Sequence, residues 1–248
     1  MRLVMDTATR HAVVALGEGR TIAAALVREV VPGRGTPLLS FIEEVLRDSG
    51  STMADVEALG VGTGPGSFTG LRAGLATAKT LCWLRRLPLV GLPTDETIRR
   101  AVALHAPSAG ASVAVVLPAG ARDHYVALAG ADPMLVPPTA DLAALVGDAP
   151  VAALDVRTEG AVMALVDRLA ANGLPDPVSL GADALVRMPE ALLAAMDERL
   201  ASGATEDLAT LVPRYVALPR GIASAPVERH TTITDTARRD EAWSPTPR

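Results

Sequence analysis

GVGTGPGSFTGLRAGLATAKTL, residues 60–81, is the stretch that decides the fold. Four glycines from Gly62 to Gly70, with Pro65 among them, carry the chain out of an apolar strand into a tight turn. Ser67 or Thr69 is placed to cap the helix that follows, and the first amides of that helix would face any anion set before them. The spacing has neither the Gly-Lys-Ser/Thr of a Walker loop nor the dinucleotide fingerprint, which argues against a nucleotide kinase of the usual loop type. Within the helix, Gly70, Gly74 and Ala78 lie four apart as a small-residue stripe beside an apolar stripe of Leu71, Leu75 and Cys82. Either one stripe meets the sheet and the other a partner, or both pack within the chain.

Outward from this stretch, strand patterns fall at Arg2–Asp6, Ala12–Leu16, Thr21–Arg28, Ala58–Gly62 and Leu89–Gly91, and helix patterns at Leu38–Ser49, Thr69–Arg85 and Thr94–His105. Three strands, then helix, strand, helix, strand and helix is the ribonuclease H-like order of an α/β lobe with a mixed sheet flanked by helices. The first of these helices offers Leu38, Leu39, Phe41, Ile42, Val45 and Leu46, a wider apolar face than one sheet contact requires. A second unit opens with Val113–Leu117 and Tyr125–Ala129 and continues through a strand at Val151–Asp155 and helices at Glu159–Ala171 and Ala191–Leu200. The predicted organisation is an N-terminal lobe over 1–106, a divergent second lobe over 107–219 and a disordered tail over 220–248, where Arg, Thr, Pro and Asp replace any periodic pattern.

The 248 residues suffice for two such lobes. A net charge of −5 argues against a protein that grips nucleic acid through an overall positive field, so any such contact is local or indirect. One cysteine, Cys82, allows neither an intrachain disulfide nor a multi-thiolate metal site. Apolar runs are short and interrupted, and no secretory signal pattern opens the chain, so the expectation is a cytoplasmic protein without a membrane span.

In the opening segment VMDTATRHAVVAL, Asp6, Thr7 and Thr9 occupy a turn between two apolar strands. An acid and small hydroxyls there, together with Gly64, Gly66, Ser67 and Thr69, either face a nucleotide's phosphates or satisfy turn backbone groups. The histidines His11, His105, His124 and His230 have no helical pair spacing, so no metal site is visible and no catalytic residue is assigned. An actin-like phosphotransferase binding ATP between the lobes is the alternative from another class, weakened by the lack of a Gly-rich turn after an acidic strand end in the second lobe. A peptidase is the remaining reading.

Taken together, VMDTATRHAVVAL, VGTGPGSFTGLRAGLATAKTL and LPLVGLPTDETI resemble the TsaB family, the dimerization subunit of the bacterial machinery for tRNA threonylcarbamoyladenosine. The string from Gly64 to Arg72 is the specific part, and the resemblance covers about the first hundred residues. Ala121–Val126 is similar to the family's second-lobe strand, and Pro213-Arg214-Tyr215-Val216 to its late proline and tyrosine motif. The resemblance implies two actin-like lobes of the ASKHA type and a non-catalytic role without cofactor. It implies pairing with the catalytic paralogue TsaD or, in its absence, with a second copy; the ATPase TsaE as a further partner; and tRNA contacted only through the complex. TsaD would transfer threonylcarbamoyl to N6 of adenosine 37 (t6A) in tRNAs reading codons that begin with A. The candidate partner surface is Leu38, Phe41, Ile42 and Val45 of the first helix with Gly70, Leu71, Gly74, Leu75, Ala78 and Cys82 of the second. The chain departs from the family at Arg34-Gly35-Thr36-Pro37, where a histidine is missing.

Overall fold

In a computed structural model, residues 1–30, 35–107 and 112–216 are described. The predicted tail, 220–248, and Arg34 of the departure before the first helix lie outside them. The first sheet is built from β1 (Arg2–Asp6), β2 (His11–Glu18), β3 (Thr21–Glu29), β4 (Ala58–Gly64) and β5 (Leu89–Pro93), in the order β3-β2-β1-β4-β5. The β1–β2–β3 meander is antiparallel, while β4 and β5 run parallel to β1. Helices α1 (Leu38–Asp48), α2 (Phe68–Arg85) and α3 (Thr94–His105) link or follow the later strands. The second sheet has four strands, β6 (Ala114–Ala119), β7 (Asp123–Ala127), β8 (Met134–Val136) and β9 (Val151–Ala153), in the order β8-β7-β6-β9. Its helices are α4 (Leu142–Val146), α5 (Ala161–Ala171) and α6 (Pro177–Ala201).

Strand periodicity sorts the side chains into layers. Leu3, Met5, Val14, Leu16, Leu59 and Val61 point to one face of the first sheet, where α1 presents Leu38, Phe41, Ile42 and Val45 and α2 presents Leu75, Ala78 and Cys82. The alternate residues Val4, Val13, Ala15, Val90 and Leu92 point the other way and share one core with Val115, Leu117 and Ala152 of the second sheet. Between the two sheets lie α3, through Ile98, Ala101 and Val102, and α6, through Leu192, Leu193 and Met196. The outer face of the second sheet is covered by α4 and α5. The layers therefore run helix, sheet, helix, sheet, helix, and the central helices belong to both halves.

The sequence pattern starts the last helix at Ala191, two residues after Pro189, and a proline inside a helix removes a backbone donor and crowds the preceding turn at a cost of about 3 kcal/mol. The structure continues α6 through Pro189, from an N-terminus where Asp176 accepts a hydrogen bond from Ser179 N (2.9 Å) and Pro177 takes the first helical position. Burial of Leu180, Ala184, Met188, Leu192, Leu193 and Met196 in the shared core outweighs the proline. A Cβ on Gly181 would overlap the carbonyl of Ala153, so the glycine lets α6 cross close over β9. Helix α4, five residues long, and strand β8, three residues long, were too short to give a periodic signal.

Candidate functional site

The glycine-rich stretch and the β1–β2 turn converge as the sequence predicts, at the carboxyl ends of the parallel strands. Asp6, at the end of β1, is 1% exposed. One carboxylate oxygen accepts from Ala8 N (2.7 Å) and the other from Thr94 Oγ1 (2.8 Å), which in turn accepts from Gly64 N (3.1 Å). Burial pushes the Asp6 carboxyl up to about 6, although both hydrogen bonds act in the opposite direction. Thr7, also buried, donates to Gly70 O (2.7 Å). Ser67, not Thr69, caps α2, accepting from Gly70 N (3.2 Å). Gly64 holds a φ of +96° at the start of the loop, a conformation side chains disfavour.

The loop packs closely on the turn. Ser67 N donates to Ala8 O (2.6 Å), and a Cβ on Gly66 would overlap that same carbonyl. Gly62 faces the Asp6 carboxylate with no room for a side chain, and Gly70 and Gly74 do the same for Thr7. Thr9 turns its hydroxyl to the backbone of His11 (3.0 Å), and Thr69 is exposed on α2. Of the seven phosphate candidates, Asp6, Thr7, Gly64, Gly66 and Ser67 meet and Thr9 and Thr69 do not join them. The hydrogen bonds of those that meet run to Ala8, Gly70 and Thr94, as in the turn-satisfying alternative.

Across from this turn, Asp155, just after β9, accepts from Arg10 N (2.5 Å) and lies 3.1 Å from His11 Nδ1, within ion-pair range but not aligned as a hydrogen bond. Asp155 adopts a φ of +59°, and its side chain is nearly buried. The two halves thus touch directly beside the β1–β2 turn. The second sheet has Pro118-Ala119-Gly120 at the hairpin that corresponds to Asp6. Among the described residues no group of three or more His, Cys, Asp and Glu is gathered to hold a metal, and His105 pairs with Asp183 (3.1 Å).

The ten partner-surface candidates are all buried in this chain's own packing: Leu38, Phe41, Ile42, Val45, Leu71, Leu75, Ala78 and Cys82 in the core, and Gly70 and Gly74 against Thr7. Both stripes of α2 face inward. The reason is that the turn lies so near α2 that even the small-residue stripe is needed to admit it. Burial also pushes the Cys82 thiol up to about 12, which leaves it an unreactive core residue. What the α1–α2 layer offers outward is Leu39 (59% exposed), Trp83 (72%) and Leu84 (62%), with Arg72, Ala76 and Thr80 along α2. Sequence reasoning assigned no role to Thr94, Asp155 or Trp83. Thr94 was legible only as part of a strand-to-helix junction, and Asp155 carried no local signal.

Comparison with known proteins adds independent findings. The model of the family described as TsaD: tRNA N6-adenosine threonylcarbamoyltransferase matches residues 36–214. The tRNA threonylcarbamoyladenosine biosynthesis protein TsaB of Escherichia coli (strain K12) is 39% identical over 97 residues, 39% of this chain and 41% of that protein. The protein of the same name in Bacillus subtilis (strain 168) is 28% identical over 96 residues, 42% of its length. The match therefore spans less than half of either relative. The structure of YeaZ from Pseudomonas aeruginosa superposes with a TM-score of 0.63 at 23% identity, covering 86% of this chain and 98% of that one, which shows a common fold.

Proposed function

Because this chain belongs to the TsaD family of tRNA N6-adenosine threonylcarbamoyltransferases, with TsaB proteins as its relatives, we propose that it is a TsaB-type subunit: a non-catalytic scaffold for threonylcarbamoyladenosine formation at position 37 of tRNA. The observation that carries the non-catalytic part is the closed turn. Asp6 is bonded to Thr94 and through it to Gly64, Ser67 N is bonded to Ala8 O, and Asp155 of the second half is bonded to Arg10 N. A catalytic nucleotide site needs such donors free and aimed at the place where charge develops.

The chain's contribution is then a surface. The α1–α2 layer is held rigid from beneath by its two inward stripes, and it presents Trp83 and Leu84 with Leu39 to water. Large exposed apolar side chains on a rigid layer are the anchors that protein interfaces use. The partner proposed for that face is the catalytic TsaD subunit, or a second copy of this chain when TsaD is absent. TsaE joins the assembly, and tRNA is met through it, in the cytoplasm. Among the described residues no helix is long and apolar enough to cross a membrane.

The test is threonylcarbamoyl transfer to tRNA by TsaD and TsaE, with and without this chain, together with the mass of its mixture with TsaD. Transfer that requires the chain, and a mixed complex lost in a Trp83→Asp, Leu84→Asp variant of unchanged thermal midpoint, is the expected result. A chain that neither binds TsaD nor alters transfer sinks the proposal.

A further inference from the structure

The Pro213-Arg214-Tyr215 segment, which the function above does not use, lies at the end of a strap. After α6, residues 202–216 run back across the first sheet without helix or strand. Glu206 N donates to Leu89 O (2.8 Å) on the edge strand β5, and Leu208 and Leu211 pack against the core beneath α1 and α2. Further on, Arg214 N donates to Thr63 O (2.8 Å), at the end of β4 beside the glycine-rich loop. Such a segment, with few buried side chains and hydrogen bonds near the surface, belongs to the low-stability end of a protein and opens without global unfolding.

Its last residues make contacts out of proportion to its length. The Tyr215 ring lies 5.2 Å from that of Phe68, at the start of α2, and its hydroxyl accepts from Arg72 Nε (3.0 Å). The Arg72 guanidinium is stacked 3.8 Å over Phe68, so three side chains from two distant segments form one cluster. Next to it, the Arg214 guanidinium reaches Asp95 of α3 (3.3 Å) and Asp132 in the β7–β8 connection (3.5 Å). Asp132 is fully exposed, so that pair is weak, whereas the Asp95 side chain is 3% exposed and already bonded to Arg99. One dipeptide thereby touches α2, α3, the end of β4 and the second half of the molecule.

We infer that Arg214 and Tyr215 are a latch: they hold the strap shut over the β5 edge and fix the first turn of α2, and the strap opens as a unit when the latch is broken. The inference does not rest on the partner reading, and its test needs no partner. Amide exchange would be followed by mass spectrometry or NMR on the full chain and on Tyr215→Ala, Tyr215→Phe and Arg72→Ala. In Tyr215→Ala the amides of Glu206 and Arg214 exchange about tenfold faster, the scale of losing one ring contact and one hydrogen bond, while those of β1 and β2 keep their rates. Tyr215→Phe, which keeps the ring and loses the acceptor, falls between, and Arg72→Ala follows Tyr215→Ala. Three outcomes overturn the latch: unchanged exchange at 206 and 214, wild-type amides there already exchanging as in a free peptide, or a uniform rise through the whole chain.

Discussion

The glycine-rich stretch of the first half and the loops of the second use glycine in opposite ways. In the first, Gly62, Gly66, Gly70 and Gly74 sit where a Cβ would overlap Asp6, Ala8 or Thr7, so they are demanded by what lies against them. In the second, Gly120, Gly130, Gly147, Gly160 and Gly173 have positive φ and open space around the missing Cβ, so they serve only to turn the chain. The β4–α2 and β9–α5 junctions differ in the same sense. Ser67 caps α2 across a loop locked to the neighbouring turn, whereas α5 begins at Gly160 without a side-chain cap. A close backbone approach constrains sequence tightly and a surface turn does not, which explains why the sequence resemblance gathers in the first half while the fold extends through both.

The contrast breaks most readily at Gly70. Gly70→Ala forces a methyl into the Thr7 carbonyl and costs about 3 kcal/mol or more in urea unfolding; near-native stability would mean that the turn yields and the glycine is not required. Gly74→Arg belongs with it, since it would disrupt the packing on Thr7 before it disturbed any partner.

Nearly as large is the effect of pH through Asp6. Its folded pKa of about 6 lies above the unfolded value of about 4, so the folded chain holds the extra proton between these values. Stability is fully present below pH ~4 and falls as pH rises through 6, by on the order of 3 kcal/mol at most. Asp6→Asn, followed by denaturation at a series of pH values, should flatten that slope; an unchanged slope would assign it to other groups.

A smaller change sharpens the hydrogen-bond relay. Thr94→Val leaves Gly64 N and one Asp6 carboxylate oxygen without these partners and should lower stability by about 1–3 kcal/mol, with Thr94→Ser restoring most of it. Smallest is Gly147→Ala in the second half, where only the backbone conformation objects, at about 1 kcal/mol. Should Gly147→Ala cost as much as Gly70→Ala in thermal unfolding, the two kinds of glycine would not differ as described.

Much of the first half was legible because its signals are local. Alternating strands, the capped helix after Ser67 and the apolar positions of α1 all follow from short-range periodicity. The second half gave way where elements are short, as in β8 and α4, or where a local rule is overruled, as at Pro189. The site was half legible: Asp6, Thr7, Gly64, Gly66 and Ser67 do come together, but no spacing reveals which neighbours take up their hydrogen bonds. Thr94 is 88 residues from Asp6 and Asp155 is 145 from Arg10, so both contacts depend on how the layers stack.

By itself, then, the sequence determined the α/β class, the ribonuclease H-like order of the first half, the glycine turn and the family resemblance, because each is written in neighbouring residues. Only the tertiary structure decided that α3 and α6 form one core between two sheets, that both stripes of α2 turn inward, that the turn is closed on itself and that the strap ends on Arg72 and Phe68. These depend on which faces meet when distant segments bury their apolar surface together, and a one-dimensional pattern records that a face is apolar but not what covers it.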